Sequence, residues 1–249
     1  MIKLQRNIKP QILIEKEEFW KDELLEAISE YSGYSNIPQN KKDNLIKHYR
    51  HSQIKEELFK SSHSKCAFCE SMPEEGGFIE VEHFHPKSLY PEETFEWRNL
   101  LPVCRRCNLN KSNFDTKNKR ILNPYEDDPE LYLDIEYLEI VPKENSINET
   151  IASNTIELLG LNDPRLIKPR SVLLVDLTHY MHTLKNKIQS YKDAIQSDKN
   201  KILIEISNSL DLIKFLALPN EKYSFYVKKF CEQKKEYIEA KELLEALNI

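Results

Sequence analysis

Over 16–32 (KEEFWKDELLEAISEYS), Phe19, Trp20, Leu24, Leu25 and Ile28 stand at helical spacing, which predicts an amphipathic helix. The pattern repeats over 40–60 with Leu45, Tyr49, Ile54 and Leu58, after a turn at SNIPQN. The period is lost across 61–122, a stretch that holds four of the five cysteines, three of the seven histidines and the Gly76-Gly77 pair. A compact, irregular module is expected there. Over 131–141 (LYLDIEYLEIV) apolar and polar residues partly alternate, predicting a short strand or hairpin arm. The helical period returns from 148, where Ile151, Thr155, Leu158 and Leu159 form a stripe stopped by Gly160. Pro169 suits the first turn of a long helix to about Ser197, and two more helices are expected near 201–218 and 221–247, separated by Pro219-Asn220.

Composition adds limits to this helical picture. The 249 residues have room for one large domain or two small ones, and 40% hydrophobic content can bury a sizeable core. No apolar run approaches the roughly 20 residues that span a bilayer, and the first ten residues (MIKLQRNIKP) lack the apolar centre of a signal peptide. A cytoplasmic protein with no membrane partner is therefore expected. Four glycines against 12 prolines argue against glycine-rich phosphate cradles. The net charge of −5 does not announce a nucleic-acid binder, but its distribution is uneven. Residues 103–123 carry six basic side chains (Arg105, Arg106, Lys111, Lys117, Lys119, Arg120) and one acid, Asp115, whereas 121–160 carry ten acids and one base, Lys143.

The cysteines carry the first specific chemistry. Cys66-x2-Cys69 and Cys104-x2-Cys107 are separated by 34 residues. Thiolates two residues apart can turn back onto one metal ion, and two such pairs complete a tetrahedral all-sulfur shell that suits zinc. Disulfides are the competing use, but nothing marks the chain as secreted. Four thiolates close the shell, so this zinc is expected to be structural. Cys231, on an expected helix, reads as an ordinary buried thiol.

Between the pairs lie Glu82-His83, Pro86-Lys87, Trp97-x-Asn99-Leu100 and, beyond, Cys104-x2-Cys107-Asn108-x2-Lys111. A carboxylate before a histidine suits hydrolysis of a phosphodiester, which needs a base for water and a hard divalent cation at the phosphate. The segment resembles the HNH endonucleases, whose fold is a ββα-metal module, here with a four-cysteine zinc knuckle. The resemblance implies that Glu82 is a metal ligand, His83 the general base and Asn99 the residue that braces the loop. Asn108 stands where the family has its last histidine. Its amide oxygen would be the second ligand of a catalytic Mg or Mn. The EHF-x-PKS and WRNLLPVC-x2-CN-x2-K stretches, LNPYEDDP and TIELLGLN further resemble the PtuB proteins, anti-phage nucleases of Septu and retron-associated systems. Specific motifs cover about 63–130. That resemblance implies a defence effector partnered by a PtuA-type ABC/SMC-like ATPase, acting on nucleic acid, with a retron RNA/DNA hybrid as a further associated molecule. DNA is the favoured target and RNA such as tRNA the alternative.

The expected organisation is α+β and mainly α: an N-terminal helical segment (1–60), the HNH module (61–125) and a mostly helical C-terminal region (126–249) offering a partner-binding surface. His85, Lys87, Arg105 and Lys111 are candidate nucleic-acid contacts. On a strand, His85 would share a face with His83 and could touch phosphate or metal, or only pack. His63 is superfluous as a zinc ligand, Trp97 reads as core, and Glu126-Asp127-Asp128 reads first as a turn between Pro124 and Pro129. Two non-catalytic readings compete: a zinc module that only binds nucleic acid, and a structural subunit of an ATPase complex.

Overall fold

In a computed structural model, which describes residues 1–72, 79–145 and 147–247, a two-stranded hairpin divides the molecule. Gly76-Gly77 lies outside those residues. Strand β1 (Ile79–His83) pairs antiparallel with β2 (Leu100–Cys104), with Glu82 opposite Leu101 and His83 opposite Leu100. Alternation along the strands sorts their side chains to two sides. Val81 and Leu100 join one apolar cluster with the N-terminal helices α1 (Gln11–Glu30), α2 (Gln39–Ile46) and α3 (Ser52–Ser61). Leu101 and Val103 join a second, larger cluster built with the C-terminal elements. Helix α4 (Arg105–Lys111) follows β2 directly and completes a ββα unit.

The N-terminal layer departs from its expected form in two places. In α1 the buried stripe is Leu13, Glu17, Trp20, Leu24 and Ala27, while Phe19 and Leu25 face outward. The helix expected over 40–60 is broken. A 3-10 turn at Lys47–Arg50 follows α2, and His51 leaves helical backbone to cap α3, its Nδ1 accepting the Gln53 N–H at 3.3 Å. A cap of this kind satisfies an amide that a continuous helix would have bonded internally.

Past the module, β3 (Leu133–Glu136) and β4 (Glu139–Pro142) form the expected hairpin. Helix α5 (Glu149–Leu159) is capped by Asn148, whose side chain accepts from the Ile151 N–H. It ends on Gly160 in the left-handed region, φ 60°, where a Cβ would lie 2.6 Å from Asp163 Oδ2. Helix α6 (Pro164–Asp193) starts on Pro164, leaving Pro169 inside it. The chain thus uses the earlier proline as its first helical residue, only four residues beyond the Gly160 stop. Helix α7 (Gln196–Leu216) packs back along α6. The helix expected over 221–247 is two, α8 (Ser224–Glu232) and α9 (Lys235–Ala246), hinged at Gln233-Lys234. Among the described residues, no helix is long and apolar enough to cross a membrane.

Candidate metal centre and hydrolytic site

The four cysteines converge. Cys66 and Cys69 flank a tight turn closed by the Glu70 N–H on the Cys66 carbonyl at 3.0 Å, with Glu70 left-handed at φ 59°. The Ala67 N–H donates to the Pro102 carbonyl at 2.9 Å and docks this knuckle on β2. Cys104 ends β2 and Cys107 sits in the first turn of α4. All four sulfurs lie within 4.8 Å of one another, and Cys69 and Cys104 are 3.8 Å apart. A tetrahedral zinc shell with legs of about 2.3 Å has edges near that length, so the donor set fits zinc. Among the described residues no other three His, Cys, Asp or Glu side chains lie close enough to share an ion.

Two further contacts shape this centre. The Arg165 guanidinium, from the first turn of α6, approaches two sulfurs, Nη2 at 3.7 Å from Cys107 and Nη1 at 4.0 Å from Cys69. Burial disfavours its charge, but the sulfurs of Cys107 and Cys69 more than offset that and hold it protonated. A cation there opposes the surplus negative charge of four thiolates around one divalent ion. Beside the knuckle, buried Glu70 takes hydrogen bonds from Lys65 (3.1 Å), Ser224 (2.7 Å) and the α-ammonium of Met1 (2.6 Å). Despite its burial, those cations hold the Glu70 carboxyl down at about 2.

On the α4 side of the hairpin, Glu80 and Glu82 point the same way, two residues apart on β1. Helix α4 meets them with Asn108 and Lys111, one turn apart. Lys111 Nζ donates to Glu82 Oε1 at 2.9 Å and to the His83 carbonyl at 2.7 Å. Its side chain is wholly buried, so the expected nucleic-acid contact at Lys111 is turned inward instead. Asn108 Nδ2 donates to Glu80 Oε2 at 2.5 Å, and exposed Arg105 reaches Glu80 Oε1 at 3.5 Å. The two expected magnesium ligands therefore each have a partner: Glu82 holds Lys111, and Asn108 holds Glu80. Burial pushes the Glu82 carboxyl up, against the pull of Lys111. Two carboxylates and an amide remain a hard-oxygen donor set that suits Mg or Mn.

His83 faces the other way, toward the N-terminal layer. It is 1% exposed. Its ring meets Tyr49 edge-on, centroids 4.6 Å apart at 74°. Nε2 lies 2.9 Å from the Thr94 carbonyl, and Nδ1 has no partner among the described residues. A carbonyl only accepts, so Nε2 carries the proton and Nδ1 keeps a bare lone pair. Burial, with Lys87 beside it, holds His83 well below the ordinary histidine range, so the ring is neutral at pH 7.

Asn99 ties the loop after β1 at three points. Its Oδ1 accepts the His85 N–H at 2.7 Å, and its Nδ2 donates to the His85 and Glu93 carbonyls at 3.0 and 3.1 Å. His85 is half-buried, with Nδ1 2.7 Å from the Thr116 hydroxyl, which itself donates to the Phe84 carbonyl. Lys87 is half-buried over the Tyr49 ring. Trp97 is buried and donates to the Asn7 carbonyl, and Cys231 is a buried thiol pushed up to about 12. Asp127 accepts from Arg120 and the Asn123 N–H, and Asp128 caps a 3-10 turn through the Glu130 N–H, so that acidic run is a turn. His63 is exposed and outside the sulfur cluster.

Sequence reasoning missed Glu80, Arg165 and Tyr49. Period-2 spacing from Glu82 points to Glu80. Nothing local points to Arg165, nearly 60 residues beyond the last ligand cysteine.

Comparison with known proteins agrees with this geometry. Residues 66–114 match the HNH endonuclease family. Septu protein PtuB of Bacillus thuringiensis is 30% identical over 193 residues, 77% of this chain and 73% of that protein. Septu protein PtuB of Bacillus mycoides (strain KBAB4) is 25% identical over 289 aligned positions, 96% of this chain and 93% of that protein.

Proposed function

The chain belongs to the PtuB family of Septu proteins, with an HNH endonuclease module at its centre, and from that premise we propose that it hydrolyses phosphodiester bonds in nucleic acid. The observation that carries the reading is His83: a neutral imidazole held through Nε2 by the Thr94 carbonyl, with an unpartnered lone pair on Nδ1. This is the state a general base needs.

In the proposed reaction Nδ1 takes a proton from water as the water attacks phosphorus, and the Thr94 carbonyl holds the imidazolium that forms. Asn99 keeps the loop after β1 in place by its three bonds. Glu82 and Asn108, on the opposite face of the hairpin from the His83 ring, would hold a divalent cation, Mg or Mn, which supplies Lewis-acid stabilisation of phosphate charge when bound. The Asn108 amide, bonded through Nδ2 to Glu80, turns its oxygen away from that carboxylate. Arg105 stands exposed at the same edge, where phosphate oxygens would pass. Cys66, Cys69, Cys104 and Cys107 would hold a zinc ion that ties the knuckle to the end of β2 and to α4.

The substrate we favour is DNA, with RNA such as tRNA as the second candidate. An acidic chain of net charge −5 grips polyanions weakly alone. The family membership supports a cytoplasmic defence effector whose partner, a PtuA-type ATPase, supplies part of that grip, with or without a retron. The test is cleavage of plasmid DNA and total tRNA in Mg²⁺ or Mn²⁺, using wild type and His83→Ala, each purified with the neighbouring ATPase. Metal-dependent cutting is expected from wild type and a loss of about 10²–10⁴ in the variant, with zinc retained. Equal behaviour would overturn the reading and leave a zinc module without catalysis.

A further inference from the structure

Two cations near His83 make no ion pair among the described residues. Arg50, exposed at the end of the 3-10 turn before α3, donates through Nε to the Tyr49 hydroxyl at 2.9 Å, and its Cζ lies 5.0 Å from that ring. Lys87, on the loop after β1, holds Nζ 5.4 Å from the same ring. The carboxylate that Lys87 feels is Glu82, already bonded by Lys111. Tyr49 is itself the ring that abuts His83. The two charges thus stand one aromatic ring away from the His83 imidazole.

Gathering like charges on partly buried surface is unfavourable. The Tyr49 face recovers part of the cost through cation–π attraction. The rest is unrepaid in the free protein: burial, with Arg50 and Lys111 nearby, works against the Lys87 charge. An arrangement of this kind is stabilised by an anion that meets both cations. A phosphodiester suits it, since the guanidinium fork matches two phosphate oxygens and the lysine supplies a point charge.

We propose that Tyr49, Arg50 and Lys87 form a phosphate-binding wall that seats a backbone phosphodiester against His83, with Arg50 and Lys87 on its oxygens and Tyr49 spacing them from the imidazole. Building on the nuclease reading, this makes the N-terminal layer a part of the active site. Arg50 lies outside the segment, 66–114, that matches the HNH family. The wall would explain why the hairpin turns His83 toward α1–α3 and away from α4.

The probe is inorganic phosphate, titrated into the zinc-loaded full chain with ¹⁵N-labelled histidines. The His83 ring signals are expected to shift in wild type. The affinity should fall roughly tenfold to a hundredfold in Arg50→Ala and in Lys87→Met, partly recover in Arg50→Lys, and be unchanged in Lys201→Ala on α7. With a labelled DNA duplex in the His83→Ala background, the slope of log affinity against log salt should drop by about one on adding Arg50→Ala. Absence of a phosphate response in wild type, or a response indifferent to Arg50 and Lys87, would overturn the wall. Phosphate binding that needs both cations, in a protein that cuts no nucleic acid with or without His83, would sink the nuclease reading and leave an anion site.

Discussion

The cysteine centre, shared by the Cys66–Cys69 knuckle, the end of β2 and α4, and the carboxylate pocket of Glu80, Glu82 and Asn108, shared by β1 and α4, belong to one ββα unit, yet they are built differently. The sulfurs have only weak partners within the protein, the Arg165 guanidinium near Cys69 and Cys107 and the Ser71 hydroxyl 3.1 Å from Cys69, since thiols are weak hydrogen-bonding groups. In the pocket each carboxylate has been claimed: an ammonium sits on Glu82 and an amide on Glu80. The difference teaches where each kind of site gets its order. A closed all-sulfur shell is an assembly that the ion itself holds together. A hard-oxygen site can be pre-formed by protein cations and amides, and it then takes its ion in exchange for them.

The comparison can be broken most sharply at the sulfurs. Cys107→Ser, or zinc removal by a strong chelator, should unfold the module. Structural zinc contributes on the order of 10–16 kcal/mol in small zinc domains, comparable to a whole domain's stability. Zinc content and the thermal transition would both be lost, and survival of a cooperative melt in the apo protein would refute the structural role. Next in size is His83→Ala, whose expected loss of about 10²–10⁴ in cleavage rate should leave zinc content unchanged. Lys111→Met is expected to cost about 3–5 kcal/mol in denaturant unfolding, because it strands the Glu82 carboxylate. Adding Glu82→Gln should return most of that loss, and a double variant as unstable as the single would show that Lys111 acts by packing. Arg165→Gln should weaken zinc roughly 10–100-fold in chelator competition, without altering the rate of the loaded protein.

The smallest effect concerns pH. His83 is held below the ordinary histidine value, and in the proposed reaction its neutral form acts as the base. Cleavage should therefore persist as pH falls through about 6.5, the midpoint of an unperturbed histidine, and fail only at lower pH. A rate profile with its acid limb at 6.5 would place the base elsewhere.

Much of this was legible in the chain because it is encoded locally. The Cys-x2-Cys pairs specify a turn and a shared ion regardless of what surrounds them. Asn148, Gly160 and the apolar stripe between them mark α5 at both ends. Other features depend on long-range choices. Whether helical period runs through 47–51 depends on His51 capping α3, and either Pro164 or Pro169 could open α6. Lys111 reads as a basic surface residue, and only the approach of α4 to β1 makes it the buried partner of Glu82. The direction in which His83 points is set by the register of β1 against β2, which no local motif states.

The guanidinium of Arg165 also ties α6 to the chemistry of sulfur oxidation. Its hold on Cys69 and Cys107 relies on negative charge at those atoms. An oxidant that converts the thiolates to disulfides expels the ion and discharges the sulfurs in one step. Arg165 is then a half-buried cation facing neutral sulfur, with Asp163, 3.7 Å away, as its remaining counter-charge. Oxidative damage at the knuckle is thus felt at the first turn of a 30-residue helix, and through it by the bundle that α6 shares with α7 and α9.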